Sequence, residues 1–266
     1  MSTPVALTIA GSDSSGGAGI QADLKTFAAL SVYGASVITA LTAQNTTGVT
    51  GVHLVPPAFV TAQIDAVFDD LSVGAVKIGM VAQAPIADAI SASLARRQPG
   101  HVVLDPVMVA TSGARLLPED AIAALRSRLI PQASLITPNL PEAAALLDEP
   151  VATSDAEIAA QGRRLLALGC PAVLIKGGHG QGAESTDYLI TSGITLALPA
   201  PRVATSNTHG TGCSLSSAVA AGLAKGEDLE AAVRHAKAFI SGAIAAADRF
   251  TVGHGHGPVH HLYRFY

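Results

Sequence analysis

The seven residues Asn207-Thr208-His209-Gly210-Thr211-Gly212-Cys213 hold the densest chemistry in this sequence. Glycines at 210 and 212 free the backbone to turn successive N–H groups toward one point, and Leu215, Val219 and Leu223 put the following residues on a helix starting near Gly212. Such a turn entering a helix is a cradle for an anion, because unpaired amides and the helix dipole both favour negative charge there. No Asp or Glu occurs from Tyr188 to Lys225, so nothing in the stretch repels phosphate oxygens. Cys213 falls in the first helical turn, where the dipole favours thiolate and the sulfur could act as base or nucleophile. The other reading of the segment is a Gly-rich loop ending in an ordinary buried cysteine.

Further candidates stand where apolar runs end. Lys176 leaves Val173-Leu174-Ile175 into Gly177-Gly178-His179-Gly180, and could meet phosphates as a point charge or extend to solvent. Asp105 follows Val102-Val103-Leu104, while Asn139 and Glu142 follow Leu135-Ile136 within Thr137-Pro138-Asn139-Leu140-Pro141-Glu142. Two carboxylates and an amide are oxygen donors suited to Mg²⁺; alternatively Asp105 caps a turn and Glu142 opens a helix. The loop from Gly11 to Gly19 is built of small residues, with Asp23 one turn into the next helix as a ligand hydrogen-bond partner or a solvated first-turn acid. Its Gly17-Ala18-Gly19-Ile20-Gln21-Ala22 imitates a dinucleotide fingerprint, but the ribose-binding acid is missing, since Leu24 to Ile64 contains none. Gln44 could pair with a heterocycle edge and Met80 could wall a pocket, or be a loop residue and core filler. No GxxxxGK[ST] is present. An anion cradle, a lysine, an oxygen-donor set and a loop for a small polar molecule are the parts of a magnesium-dependent kinase acting on a small metabolite.

Those residues need a scaffold, and the hydrophobic pattern supplies one. Short β-branched runs (Val5 to Ala10, Ser36 to Thr42, Ala75 to Ile78, Val102 to Leu104, Leu135-Ile136, Val173 to Ile175) alternate with helical periods at Ile20/Leu24/Phe27, Val60/Ile64/Val67/Leu71, Ile86/Ile90/Leu94, Ile122/Leu125/Leu129, Ala143/Leu146/Leu147 and Ile158 to Leu168. The alternation predicts βαβ crossovers and an α/β fold with a mainly parallel sheet covered on both faces. A polar loop is expected around Gln44 to Gly48, a hairpin at Tyr188 to Thr191 and Ile194 to Leu198, and a final helix on Val233/Ala236/Ile240/Ile244. Nothing divides the pattern, so residues 1–266 read as a single domain, with 250–266 a Gly/His-rich tail that closes over something or lies on the surface. The glycines between His254, His256, His260 and His261 disfavour a fixed metal geometry.

Composition narrows the partners. Charged residues are 14% and hydrophobic ones 49%, and sixteen basic against twenty acidic residues leave a net charge of −4. That balance argues against nucleic acid or an anionic membrane and for a small-molecule substrate. Two cysteines make no disulfide framework and the start has no basic leader region, so a cytoplasmic setting is expected.

In order along the chain, Ala10 to Asp23, Leu41-Thr42-Ala43-Gln44-Asn45, Lys77-Ile78-Gly79-Met80, Leu104-Asp105-Pro106-Val107, Thr137 to Glu142, Ile175-Lys176-Gly177-Gly178-His179 and His209 to Cys213 resemble the hydroxymethylpyrimidine/phosphomethylpyrimidine kinases of thiamine biosynthesis. The resemblance runs from about residue 5 to 250. It implies a ribokinase-like three-layer α/β/α fold, ATP with Mg²⁺, and two successive transfers, to the pyrimidine alcohol and then to its monophosphate. It implies that Gly11, Ala18, Asp23, Gln44, Met80 and Val107 hold the pyrimidine. Asp105, Asn139 and Glu142 would organise the metal; Lys176, Thr208, Gly210 and Lys237 would meet ATP; Gly210 and Gly212 would offer N–H groups to the moving phosphoryl beside Cys213 and Lys176. As a base, Cys213 would matter more to the first transfer than to the second. A pyridoxal or pyridoxine kinase of the same branch is the neighbouring possibility, and a homodimer is the expected assembly.

Overall fold

The computed structural model describes residues 3–108, 118–179 and 182–266. Its strands are β1 (Val5–Ala10), β2 (Tyr33–Ile38), β3 (Ala40–Asn45), β4 (Gly48–Leu54), β5 (Ala75–Ile78), β6 (Val102–Leu104), β7 (Leu135–Ile136), β8 (Ala172–Ile175), β9 (Asp187–Thr191) and β10 (Thr195–Leu198). The helices are α1 (Gly19–Ala29), α2 (Pro57–Asp70), α3 (Ala84–Arg97), α4 (Glu119–Ala124), α5 (Leu140–Leu147), α6 (Asp155–Leu166), α7 (Thr211–Ala224) and α8 (Leu229–Ala245). Eight strands form one sheet in the order β10-β9-β8-β7-β6-β5-β1-β2, parallel from β2 through β8 and antiparallel where the β9–β10 hairpin joins.

Side-chain alternation along the strands divides the core in two. Leu7, Ile9, Val76, Ile78, Leu104 and Ile136 face one way, packing with Ile64 of α2, Ile86 and Ile90 of α3 and Leu146 of α5. Ala6, Ala75, Val103, Leu135 and Leu174 face the other, with Leu215 and Val219 of α7 and Val233 and Phe239 of α8. Small strand residues on this second face, met by Ala218, Ala220 and Ala221, let α7 lie close to the sheet. Each fully buried Leu or Ile contributes roughly 1.5–3 kcal/mol by burial, so the sheet is held far more firmly than the loops at its carboxyl ends.

One expected strand is two. The run Ser36 to Thr42 was expected to continue unbroken, but the chain leaves the main sheet at Thr39, and β3 pairs with β4 as a separate antiparallel hairpin. Local polar groups set the break. Gln63 bonds both the N–H and the carbonyl of Ile38, and Thr39 Oγ1 donates to the Met80 carbonyl at 2.7 Å. Gln44, expected in a polar loop, therefore sits on β3, and the turn lies at Thr46-Thr47. The hairpin of β9 and β10 and the helix after the glycine turn form where the pattern places them. Among the described residues no helix is long and apolar enough to cross a membrane.

Candidate functional site

The carboxyl ends of β1, β5, β6 and β8 and the start of α7 converge. Gly210 caps α7 with φ 80°, and a Cβ there would collide with the Gly17 carbonyl, so the turn is pressed against the first glycine loop. Thr211 N–H bonds the Thr208 carbonyl at 3.2 Å and Ser214 N–H bonds the Gly210 carbonyl at 2.9 Å. Between them the N–H groups of Gly212 and Cys213 find no backbone acceptor among the described residues. A Cβ on Gly212 would lie 3.2 Å from Lys176 Nζ and 3.8 Å from Asp105 Oδ2. The amide turn, the lysine and the first carboxylate thus meet at one place, and a side chain there would crowd the Lys176 ammonium.

The charged group is tightly organised. Lys176 Nζ lies 2.6 Å from Asp105 Oδ1 and 3.7 Å from Glu142 Oε2. Burial opposes the Lys176 charge, yet Asp105 and Glu142 overcome it and hold the ammonium above the ordinary lysine range. Burial likewise opposes ionisation of Asp105, but Lys176 and then Lys77 keep that carboxyl below the usual carboxylate range. For Glu142 burial prevails over Lys176, with Asp105 adding repulsion, and its carboxyl is pushed up. Asp105 Oδ2 is buried and accepts no hydrogen bond among the described residues. An orphaned anionic oxygen beside an anion cradle fits a hard cation bridging to phosphate.

Asn139 and Glu142, expected as equal members of that oxygen set, are mainly engaged elsewhere. The Asn139 Oδ1 accepts from Glu142 N–H and Glu142 Oε2 accepts from Asn139 N–H, both at 2.8 Å, a capping box that starts α5. The helix-opening alternative is realised for Glu142, leaving Asp105 Oδ2 as the oxygen of this set without a hydrogen-bond partner among the described residues.

The first glycine loop, β3 and Met80 form the other side. Gly11 lets Met80 pack close: a Cβ there would meet Met80 Cε, so the methionine end would have to move, and would touch the Ala40 carbonyl at an ordinary 3.6 Å. Ala18 Cα would be 3.4 Å from a Cβ on Gly210, which puts that residue between the loop and the cradle. Ser14 Oγ and Gln44 N–H bond at 2.8 Å, and Gln44 Oε1 accepts from Thr42 Oγ1 at 3.2 Å, so the amide is oriented but half-buried. Val107 follows Asp105 in a turn closed by its own N–H to the Asp105 carbonyl at 2.8 Å.

Asp23 departs from expectation. It is 0% exposed, and its oxygens accept from Thr8 Oγ1 at 2.6 Å, Ser217 Oγ at 2.6 Å and Lys77 Nζ at 2.9 Å. The carboxylate is spent on a buried ion pair, so Asp23 supports the site from below. Lys77, also 0% exposed, is the partner that sequence reading passed over. A lysine inside an apolar strand was its signal, since such a charge must find a buried counter-ion. Burial opposes its charge, but Asp23 holds the ammonium above the ordinary range.

Cys213 also differs. The dipole argument favours thiolate, but burial dominates and pushes the thiol up to about 11, although Lys77 and the Gly19 N–H pull the other way. That shift favours the protonated form of the half-buried sulfur at neutral pH. Lys237, expected at ATP, donates to Asp187 Oδ2 and the Ser185 carbonyl, both at 2.9 Å, while Asp187 Oδ1 accepts from Gly177 N–H at 2.8 Å. It braces the turn after Lys176 from behind. Thr208 sits at the entry to the cradle.

Asp13, unmarked by sequence reading, is the organising residue of the first loop. Its carboxylate accepts from the N–H groups of Ser15, Gly17 and Ala18 and meets His209 Nε2 at 2.8 Å, tying that loop to the cradle. Burial works against ionisation, but these bonds, His209 first, hold the carboxyl far below the ordinary range. The signal was available: an Asp two residues before Ser15 inside a glycine loop can satisfy several amides at once.

Comparison with known proteins identifies the family and the fold. The family model described as phosphomethylpyrimidine kinase matches residues 13–260. A hydroxymethylpyrimidine/phosphomethylpyrimidine kinase of Escherichia coli strain K12 is 56% identical over 261 residues, covering 98% of each chain. A crystal structure of phosphomethylpyrimidine kinase from Clostridium difficile 630 superposes with TM-score 0.80 at 44% identity, covering 90% of this chain and 99% of that one. An ADP complex of Bacillus subtilis pyridoxal kinase superposes with TM-score 0.92 at 36% identity over 100% of both chains.

Proposed function

The chain belongs to the phosphomethylpyrimidine kinase family, and from that premise we propose that it moves the γ-phosphoryl of ATP to the hydroxyl of 4-amino-5-hydroxymethyl-2-methylpyrimidine and then to the resulting monophosphate. The chain is a ribokinase-like phosphotransferase of thiamine biosynthesis. The observation that carries the site is Gly212, whose Cα side faces both Lys176 Nζ and Asp105 Oδ2.

Phosphoryl transfer through a loose transition state asks for positioning and charge neutralisation more than for a strong base. The N–H groups of Gly212 and Cys213, free of backbone acceptors, receive the equatorial oxygens of the moving group. Lys176 faces the ATP phosphates, with its charge secured by Asp105, and Thr208 lines the approach. Asp105 Oδ2 would hold Mg²⁺, supported by Glu142 and Asn139; the ion would supply positive charge to the phosphates. Gly11, Ala18, Met80, Val107 and Gln44 seat the pyrimidine, and the Cys213 thiol lies against the acceptor hydroxyl as a neutral neighbour. Lys237 and Asp23 hold backbone and buried charge behind the two half-sites.

The whole chain acts as one catalytic domain in the cytoplasm. A homodimer is supported by the exposed Leu41 and Val52 on the β3–β4 hairpin and Phe59 in the first turn of α2, and its mass in solution is measured by light scattering. The functional test is a coupled ADP-release assay with the pyrimidine alcohol, its monophosphate and pyridoxal side by side. Turnover of both pyrimidines establishes the two-step activity. Turnover of pyridoxal alone would favour the second reading, a pyridoxal kinase, which the B. subtilis superposition motivates.

A further inference from the structure

The segment Gly253-His254-Gly255-His256-Gly257-Pro258 serves neither the sheet nor the phosphate site, yet it touches both halves of the machinery. The His254 and Gly255 N–H groups donate to Thr46 Oγ1 at 3.2 and 3.1 Å, and the His256 N–H donates to the Thr46 carbonyl at 2.9 Å. Thr46 is at the tip of the β3–β4 hairpin, two residues after Gln44. The same segment then pairs with the turn before α7. His209 N–H donates to the Gly257 carbonyl at 3.0 Å and Val259 N–H to the His209 carbonyl at 3.3 Å, one residue from Gly210.

Alternate glycines make this contact possible. A Cβ on Gly253 would collide with the Thr46 side chain, one on Gly255 with the Thr46 carbonyl, and one on Gly257 with Asn207 Oδ1. Gly253 has φ +71°, but Gly255 and Gly257 lie outside the positive-φ region, so close approach alone demands glycine there. Three glycines at a spacing of two, each against an atom of the acceptor hairpin or the cradle loop, describe a clasp.

We propose that this strap is a positioning element of the transfer reaction, fixing the Gln44 hairpin at a set distance from the Gly210 cradle. It rests on the reading of the β3–β4 hairpin, which carries Gln44, as a wall of the acceptor site. The Asp13–His209 pair makes the inner link between the first loop and the cradle, and the strap makes the outer one. Loosening the outer link leaves the acceptor wall to be ordered by the acceptor itself, a cost that falls on acceptor binding and spares the ATP side.

Gly255→Ala is the test, with His254→Ala, an exposed side chain whose N–H is kept, as the control. In Gly255→Ala, amide exchange at His256 rises at least about tenfold, KM for the pyrimidine alcohol rises about fivefold, and KM for ATP changes less than about twofold. Thr46→Ala removes the Oγ1 acceptor without adding bulk, and gives the same pattern more weakly should the first variant fold poorly. Amides that stay protected, or freed amides with an unchanged acceptor KM, overturn the proposal. Gln44→Ala separates the two failures. If it leaves the acceptor KM unchanged while Gly255→Ala raises it, Gln44 leaves the acceptor site and the strap keeps its role. If neither moves KM, both fall.

Discussion

Replacing Asp105 by Asn keeps the shape of the side chain and removes one charge, and the structure sets what that costs. Asp105 is 1% exposed, bonded to Lys176 Nζ at 2.6 Å and to Thr137 Oγ1 at 3.1 Å. Breaking a buried ion pair from one side typically costs about 3–5 kcal/mol, because the remaining charge is left uncompensated. Glu142 at 3.7 Å still faces Lys176, which places the loss near the lower limit, about 3 kcal/mol. For a domain of this size that is a fall in Tm of roughly 6 °C, measured by scanning calorimetry. Activity suffers separately, because the orphaned Oδ2 becomes part of a neutral amide. We expect kcat to fall about 10²- to 10³-fold in both transfers, as for loss of one preorganised electrostatic contact, and the Mg²⁺ concentration for half-maximal rate to rise about tenfold. The coupled assay at varied Mg²⁺ reads both. A variant that melts within about 1 °C of the parent and responds to Mg²⁺ as the parent does would refute the placement of charge and metal at Asp105.

Three further expectations follow from buried groups. With its thiol pushed up to about 11, Cys213 favours its protonated form at neutral pH, so Cys213→Ala should cost less than about tenfold and cost both transfers alike, short of the 10²–10⁴ of a general base; a selective loss in the first transfer, with a parent rate climbing tenfold per pH unit, would restore the thiolate base. Lys77→Met leaves Asp23 buried without its counter-ion and should destabilise by about 3–5 kcal/mol in urea unfolding, while adding Asp23→Asn recovers part of the loss; additive losses would show that the pair is uncoupled. His261, whose Nε2 meets Ser214 Oγ at 2.8 Å, is held down to about 4 by burial. Unfolded chain therefore binds a proton that native chain refuses between about pH 6.5 and 4. Stability should fall as pH drops through that window, by up to about 3 kcal/mol, and His261→Gln should flatten the fall; an unchanged acid limb would count against it.

Much of this protein is written locally. Period-2 runs such as Leu7/Ile9 and Val76/Ile78 and period-3.6 faces such as Ile86/Ile90/Leu94 specify a parallel sheet with helices on both sides, because no other arrangement buries those faces. The glycine turn at Gly210 and Gly212 and the lysine at Lys176 were legible for the same reason: their chemistry depends on backbone freedom or on a strand end. What sequence could not tell is where each polar group spends its bonds. The dipole at the start of α7 argued for a Cys213 thiolate, and burial by elements far along the chain reversed it. Asp23 looked like a ligand contact until Lys77, fifty-four residues away, took its carboxylate. Gln44 looked like a loop residue because the break at Thr39 is made by Gln63 and Met80, which local pattern does not reveal. Sequence determined which faces must be buried and which residues could do chemistry; tertiary structure decided the charge states and partners, because desolvation and pairing are properties of the assembled interior.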